Sequence, residues 1–196
     1  MTEREKQLAG ELYCHQDEEI SNAFQRCAKL LQAFHATAYD DEEGRQRIIR
    51  SLLNAKGTFH IERGFTCVFG SNITIGDNFF ANYNVQLLDP NTIEIGDNAL
   101  LAPNVILCTA GHPLDASLRD QGLEYAKPIK IGNSVWIGAG TTVLAGVSIG
   151  DNTVIGAGSV VTKPIPANVV AAGVPCRVLR PVTEQDRYRY PLYTGE

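Results

Sequence analysis

The sequence predicts a mainly β protein, a parallel β-helix, and three features carry that expectation. A six-residue period runs from Ile75 to the Val169–Val170 pair, an aliphatic residue followed by Gly or another small residue and then by small or polar ones. It is plain in Ile75-Gly-Asp-Asn, Ile95-Gly-Asp-Asn, Ile131-Gly-Asn-Ser, Ile137-Gly-Ala-Gly, Ile149-Gly-Asp-Asn and Ile155-Gly-Ala-Gly. The later copies keep strict register, with Ile131, Ile137, Val143, Ile149, Ile155 and Val161 each six apart. A helix needs apolar residues three or four apart, and an amphipathic strand alternates every second residue, so neither fits. A hexapeptide period instead turns each aliphatic residue into a narrow prism, three hexapeptides to a coil. Gly, Asn and Asp then occupy corners that need positive φ. Composition agrees, because 18 Gly with a single Met and a single Trp suit a thin stacked core. Such stacks pair through backbone hydrogen bonds and need covers at both open ends.

Taken in order, residues 1–57 read as a helical cap. Thr2 with Glu5 fits a capping box, and Leu8 and Leu12 share a face. Ile20, Phe24, Cys27, Leu31 and Phe34 fall at helical spacing, as do Ile48, Ile49, Leu52 and Leu53, with Gly57 as the stop. Residues 58–175 form the repeat domain, and its first stretch, 58–74, reads as strands leading in. Two breaks interrupt the period. The frame slips by two residues between Ile93 and Ile95, and Thr109 to Pro128 lacks the pattern altogether. A loop extruded from a regular solenoid is where function concentrates, because the coils fix its base. Residues 176–196, rich in Arg, Tyr and Pro, read as a mostly irregular tail packed on the far end.

The chain, 196 residues long, has room for one domain and a small appendage. Its charged start and the lack of a long apolar run signal neither export nor membrane insertion. Five scattered cysteines without a Cys-x-x-Cys pair suggest reduced, mostly buried thiols in a cytoplasm. A net charge of −5 argues against a general nucleic-acid binder. His112 lies in the extruded loop, and imidazole titrates near neutrality, so it can take a proton from a hydroxyl and pass it on. No Ser or Cys sits in a nucleophile motif, which favours direct attack of an acceptor on an activated acyl donor. The only other histidines are His15, His35 and His60. A three-histidine zinc site, as in a γ-type carbonic anhydrase, is therefore disfavoured and no metal is expected. The absence of a Gly-rich phosphate loop before the repeat argues against a nucleotidyltransferase.

A more specific series runs through the chain: Ala102-Pro-Asn-Val-Ile, Gly111-His-Pro-Leu, Gly122-Leu-Glu-Tyr, Val135-Trp-Ile-Gly, Val154-Ile-Gly-Ala-Gly-Ser-Val-Val-Thr-Lys163 and Val169-Val-Ala-Ala-Gly-Val-Pro-Cys-Arg177. It closely resembles the sugar O-acetyltransferases of the hexapeptide-repeat superfamily, the maltose, galactoside and nodulation-factor group, and residues 2–56 resemble that group's N-terminal cap. The resemblance implies a homotrimer of left-handed parallel β-helices with active sites between neighbouring subunits. It further implies acetyl-CoA as donor, a small sugar-like acceptor and His112 as general base. A backbone N–H near Ala139 is the candidate oxyanion donor. Asn82 matches a substrate-contacting residue, although Asn also forms turns. Asp89 matches an acidic substrate contact, although Asp-Pro is also a turn signal. Trp136 would pack beside the imidazole or in the trimer core. Ala139, Ala157, Thr162 and Lys163 match positions lining the pantetheine and nucleotide path. Arg177 and Arg180 would grip CoA phosphates or stay solvated.

The chain also departs from the family. Val68 and Phe69 stand where relatives carry a polar residue often followed by Tyr, and Cys14 and His15 follow Tyr13 where an Asp is usual. These changes remove groups that would recognise sugar hydroxyls, which leaves the acceptor open and keeps a non-catalytic β-helical scaffold as the alternative.

Overall fold

Aliphatic residues at every sixth position wind the chain into three sheets around a common prism, and the computed structural model describes residues 1–190. A cap of α1 (Glu3–Ala9), β1 (Tyr13–Cys14), α2 (Glu18–Ala36) and α3 (Glu42–Leu52) leads into β2 (Asn54–Ala55). The coils then run through β3 (Phe59–Ile61), β4 (Thr66–Cys67), β5 (Ile73–Ile75), β6 (Phe79–Ala81), β7 (Gln86–Leu88), β8 (Ile93–Ile95), β9 (Leu100–Leu101) and β10 (Ile106–Cys108). The loop follows with β11 (Ala110–Gly111), α4 (Ala116–Arg119) and β12 (Leu123–Ala126). The upper coils are β13 (Ile129–Ile131), β14 (Trp136–Ile137), β15 (Thr142–Val143), β16 (Ser148–Ile149), β17 (Val154–Ile155) and β18 (Val160–Val161), closed by β19 (Val169–Ala172) and β20 (Arg177–Pro181). The first sheet is ordered β2-β5-β8-β13-β16, the second β3-β6-β9-β14-β17-β19-β20 and the third β4-β7-β10-β15-β18. Every pairing in them is parallel except β19 with β20.

Inward residues such as Leu87, Leu101, Leu107, Ile137, Val143 and Ile155 are fully buried. At the corners Asn78, Asn98 and Asn152 take φ of 53°, 56° and 51°, the left-handed region that Asn tolerates. Side chains also bind coil to coil there. The Asp77 N–H donates to Asp97 Oδ1 (2.8 Å), the Asp97 N–H to Asn133 Oδ1 (2.8 Å) and the Asn133 N–H to Asp151 Oδ1 (2.6 Å). These bonds span 20, 36 and 18 residues, so the lower coils are two residues longer than the upper ones, and one coil holds the loop.

That difference relocates the predicted frame slip. Ile93 and Ile95 both sit buried on β8, and the two extra residues widen the corner before it, at Asp89–Thr92. The same corner is wide one coil below, at Val68–Asn72, and one coil above it opens into the loop. The loop is itself ordered: β12 pairs antiparallel with β11 and with β1 of the cap, in the order β1-β12-β11. Strands of two to four residues carry too little periodicity to be read from sequence.

The Thr2–Glu5 capping box is present, but α1 ends at Gly10 (φ 80°), so Leu12 lies beyond it and both Leu8 and Leu12 are exposed. Helix α3 ends at Leu52 with Leu53 as its cap, ahead of Gly57. Gly57 instead allows close approach of Asp77, whose Oδ1 accepts the Thr58 N–H at 2.7 Å. Cys27 and Phe34 of α2 and Ile49 and Leu52 of α3 cover the first coil, packing with Phe59, Ile61 and Phe65. At the far end the expected irregular tail is instead β20, which closes the edge of the second sheet, and a short 3-10 helix (Glu184–Tyr188). Residues 191–196 of the predicted tail lie outside the described residues.

Candidate active site

The widened corner, the cap and the loop meet around a cavity of about 460 Å³. Ile20 and Phe24 come from α2, Val68, Phe69 and Pro90 from the two wide corners, and Glu124 from β12. Gln7, Tyr13, His15, Gln16 and Ser21 complete the lining. A larger and more open depression, about 680 Å³, lies on the outer face of the first sheet, away from the loop.

The strand register explains the polar end of the cavity. Tyr13 pairs with Glu124, and the phenol donates to Glu124 Oε2 at 2.8 Å. Burial pushes the Tyr13 phenol well above its ordinary pKa, so it stays a neutral donor. His15 Nδ1 lies 2.9 Å from the Gly122 carbonyl and 3.5 Å from Glu124 Oε1. A carbonyl only accepts, so that bond requires the proton on Nδ1. On the other side of β12, Gly111 pairs with Tyr125, and His112 follows directly after β11. His112 is exposed at that point of the loop.

Asp89 does not meet the cavity. Its exposure is 0%, and its carboxylate accepts the N–H groups of Val68 and Phe69 (both 2.9 Å) and Asn72 (3.3 Å). The expected substrate contact is thus corrected to a clamp that holds the Val68–Asn72 corner, with Pro90 as the neighbour that reaches the cavity. Burial pushes the Asp89 carboxyl up to about 6, outweighing the backbone N–H groups that pull it down. Of the two places expected for Trp136, beside the imidazole or between subunits, its position within one chain fits only the second. It is 52% exposed on the outer face of the second sheet, in a separate cleft with Val154, Val170 and Arg180.

The remaining predicted residues divide between the two edges of the third sheet. Asn82 precedes β7, Ala139 precedes β15 and Ala157 precedes β18, all at one edge. His112 follows β10, and Thr162 and Lys163 follow β18, at the opposite edge. A single chain therefore does not bring Asn82 to His112. At the Ala139 corner the chain one coil up contributes Ala157, because the Gly158 N–H donates to the Ala139 carbonyl at 2.8 Å. Where Asp or Asn occupies that place in the first-to-second-sheet corner, its side chain fills the amide below; Ala157 has no acceptor, so the Ala139 N–H is free for a ligand. Arg180 is forked onto Asp186 at 2.7 and 2.8 Å. Arg177 is exposed and spends one nitrogen on the Cys176 carbonyl at 2.8 Å.

Among the described residues no group of three His, Cys, Asp or Glu is placed to hold a metal ion, and no helix is long and apolar enough to cross a membrane. Residues 6–57 match the maltose acetyltransferase hexapeptide capping motif, and residues 128–163 match the bacterial transferase hexapeptide (six repeats). Galactoside O-acetyltransferase of Escherichia coli (strain K12) is 45% identical over 191 residues, covering 97% of this chain and 93% of its own. The chain belongs to the hexapeptide-repeat sugar O-acetyltransferase family. A crystal structure of a maltose O-acetyltransferase from Clostridium difficile 630 is 50% identical, with a TM-score of 0.92 over 94% of this chain and 99% of that one. A galactoside acetyltransferase in complex with coenzyme A is 41% identical, with a TM-score of 0.93 over 100% and 99%.

Two residues that line the cavity were not singled out from the sequence. Glu124 was visible only inside the Gly122-Leu-Glu-Tyr segment, with no signal that β12 would carry it to Tyr13. Phe24 fits the helical spacing of a core residue, yet it is 53% exposed and turned toward the cavity. The Asp89 clamp has a measurable consequence. Its folded pKa lies above the unfolded value, so its contribution to stability is present below about pH 4 and is lost as pH rises through about 6. Urea unfolding at pH 4, 5 and 6 should show the native protein losing stability relative to Asp89→Asn as pH rises, and parallel curves would contradict this.

Proposed function

We propose that this protein transfers the acetyl group of acetyl-CoA to a hydroxyl of a sugar or similar small acceptor. One observation supports the proposal: in a chain of the O-acetyltransferase family, β12, which pairs with the strand just ahead of His112, lines a cavity of small-molecule size through Glu124. His112 takes the proton of the acceptor hydroxyl, whose oxygen attacks the thioester carbonyl carbon. The carbon–sulfur bond then breaks, and the proton passes from His112 to the departing thiolate. The free Ala139 N–H stabilises the negative charge on the carbonyl oxygen between these steps.

The reading requires a homotrimer, because Ala139 and Asn82 lie at the opposite edge of the third sheet from His112. A neighbouring subunit presents that edge. An outward stripe on the second sheet supports association: Leu100 pairs with Trp136 and Trp136 with Val154, and both Leu100 and Trp136 are exposed. Ala157, Thr162 and Lys163 would line the coenzyme's path, with Arg177 rather than Arg180 toward its phosphates.

Turnover is measured by following free thiol with acetyl-CoA and a panel of sugars. His112→Ala should lower kcat by at least about 10²-fold while light scattering still reports a trimer; undiminished activity would remove His112 from the mechanism. Ala157→Asp should place a carboxylate on the Ala139 amide and lower kcat by about 10²–10³-fold. No turnover on any acceptor, together with no coenzyme A binding, would favour a non-catalytic scaffold.

A further inference from the structure

At the cap end of the prism two thiols meet. Inward side chains of the third sheet stack in one column, with Val161 above Val143, then Leu107, Leu87 and, in the lowest coil, Cys67. The other four are aliphatic and fully buried. Cys67 ends the column where α2 covers the first coil, and the α2 residue that meets it is Cys27. Their sulfurs lie 3.5 Å apart, and the Cys27 thiol donates to the Cys67 carbonyl at 3.6 Å. Both cysteines are free. Cys14 on β1, Cys108 on β10 and Cys176 between β19 and β20 are free as well, each on a different element.

Packing alone does not call for this pair, since a leucine would continue an aliphatic column. Two sulfurs in contact add a bond that can be made and undone. That bond would act where the cap is lightly held. Of the 19 residues of α2 only Ile20, Cys27 and Phe34 are buried, and elements with few buried contacts open first. Cys27 and Cys67 stand 40 positions apart in the chain, so a link between them closes a long loop and restricts the unfolded state.

We propose that Cys27 and Cys67 are a modification site, which a peroxide converts to a disulfide that fastens the helical cap to the first coil. Cys67, 8% exposed against 1% for Cys27, meets the oxidant first. Its sulfur takes one peroxide oxygen and becomes a sulfenic acid, as the O–O bond breaks and water leaves. The Cys27 sulfur then attacks that sulfur, the S–O bond breaks, and a second water leaves with the Cys27 proton. Two thiols and one hydrogen peroxide thus give one disulfide and two waters. Thiol reductants reverse the change. The partner sulfur and burial both hold the Cys67 thiol above its ordinary pKa, so little thiolate forms and the pair answers sustained oxidation, not a brief pulse.

The test compares full-length protein before and after treatment with hydrogen peroxide. Peptide mapping without reductant should find Cys27 joined to Cys67, lighter by two hydrogens. The melting temperature should rise by at least about 4 °C, and dithiothreitol should return it to the starting value. Cys27→Ala and Cys67→Ala should each abolish the rise; if either fails to fold, the dithiothreitol reversal on the native chain decides. Oxidation confined to Cys14 and Cys108, with Cys27 and Cys67 still alkylated as free thiols after unfolding, would overturn the proposal. A Cys27–Cys67 link that leaves the melting temperature unchanged or lowers it would overturn it equally.

Discussion

Everything in this molecule depends on register between coils. Each corner residue stands directly above its counterpart, so one side chain can serve the backbone of the coil below, as Asp97, Asn133 and Asp151 do in turn. Where the stacked residue is Ala157 the service lapses, and the amide below it becomes available to chemistry. Small changes in coil length act through the same constraint. Two extra residues at one corner, repeated at Val68–Asn72 and Asp89–Thr92, make the ledge on which the cavity forms. Asp89 holds that ledge by accepting three backbone N–H groups, although burial opposes its charge.

The cap and the loop acquire their meaning from the same stack. Neither could enclose a cavity alone. The antiparallel ladder of β1, β12 and β11 joins them and sets Tyr13 opposite Glu124, with His112 directly after β11. That small sheet is fixed at its base by Thr109, whose hydroxyl donates to the Leu88 carbonyl at 3.0 Å.

The prism was legible because its signal is repeated: Ile131, Ile137, Val143, Ile149, Ile155 and Val161 report the same environment again and again. The capping box of Thr2 and Glu5 was legible because it is local. What escaped was whatever depends on residues far apart in sequence meeting once. No period announces that Glu124 reaches Tyr13, that Arg180 closes on Asp186, or that Asp89 turns inward to amides instead of outward to substrate. Phe24 misled for a related reason, since helical spacing identifies a face of the helix but not whether protein or empty space lies opposite.

His112 and the Ala139 corner lie at opposite edges of the third sheet, so under the proposed mechanism no single chain can complete the site. Mixed trimers test it most directly. Chains carrying His112→Ala are combined, by co-expression or subunit exchange, with chains carrying Ala157→Asp, and thiol release from acetyl-CoA is followed. If each site draws His112 from one subunit and the Ala139 corner from its neighbour, mixing two inactive proteins should restore activity at roughly a quarter of the interfaces. Mixed trimers no more active than either parent would contradict the account.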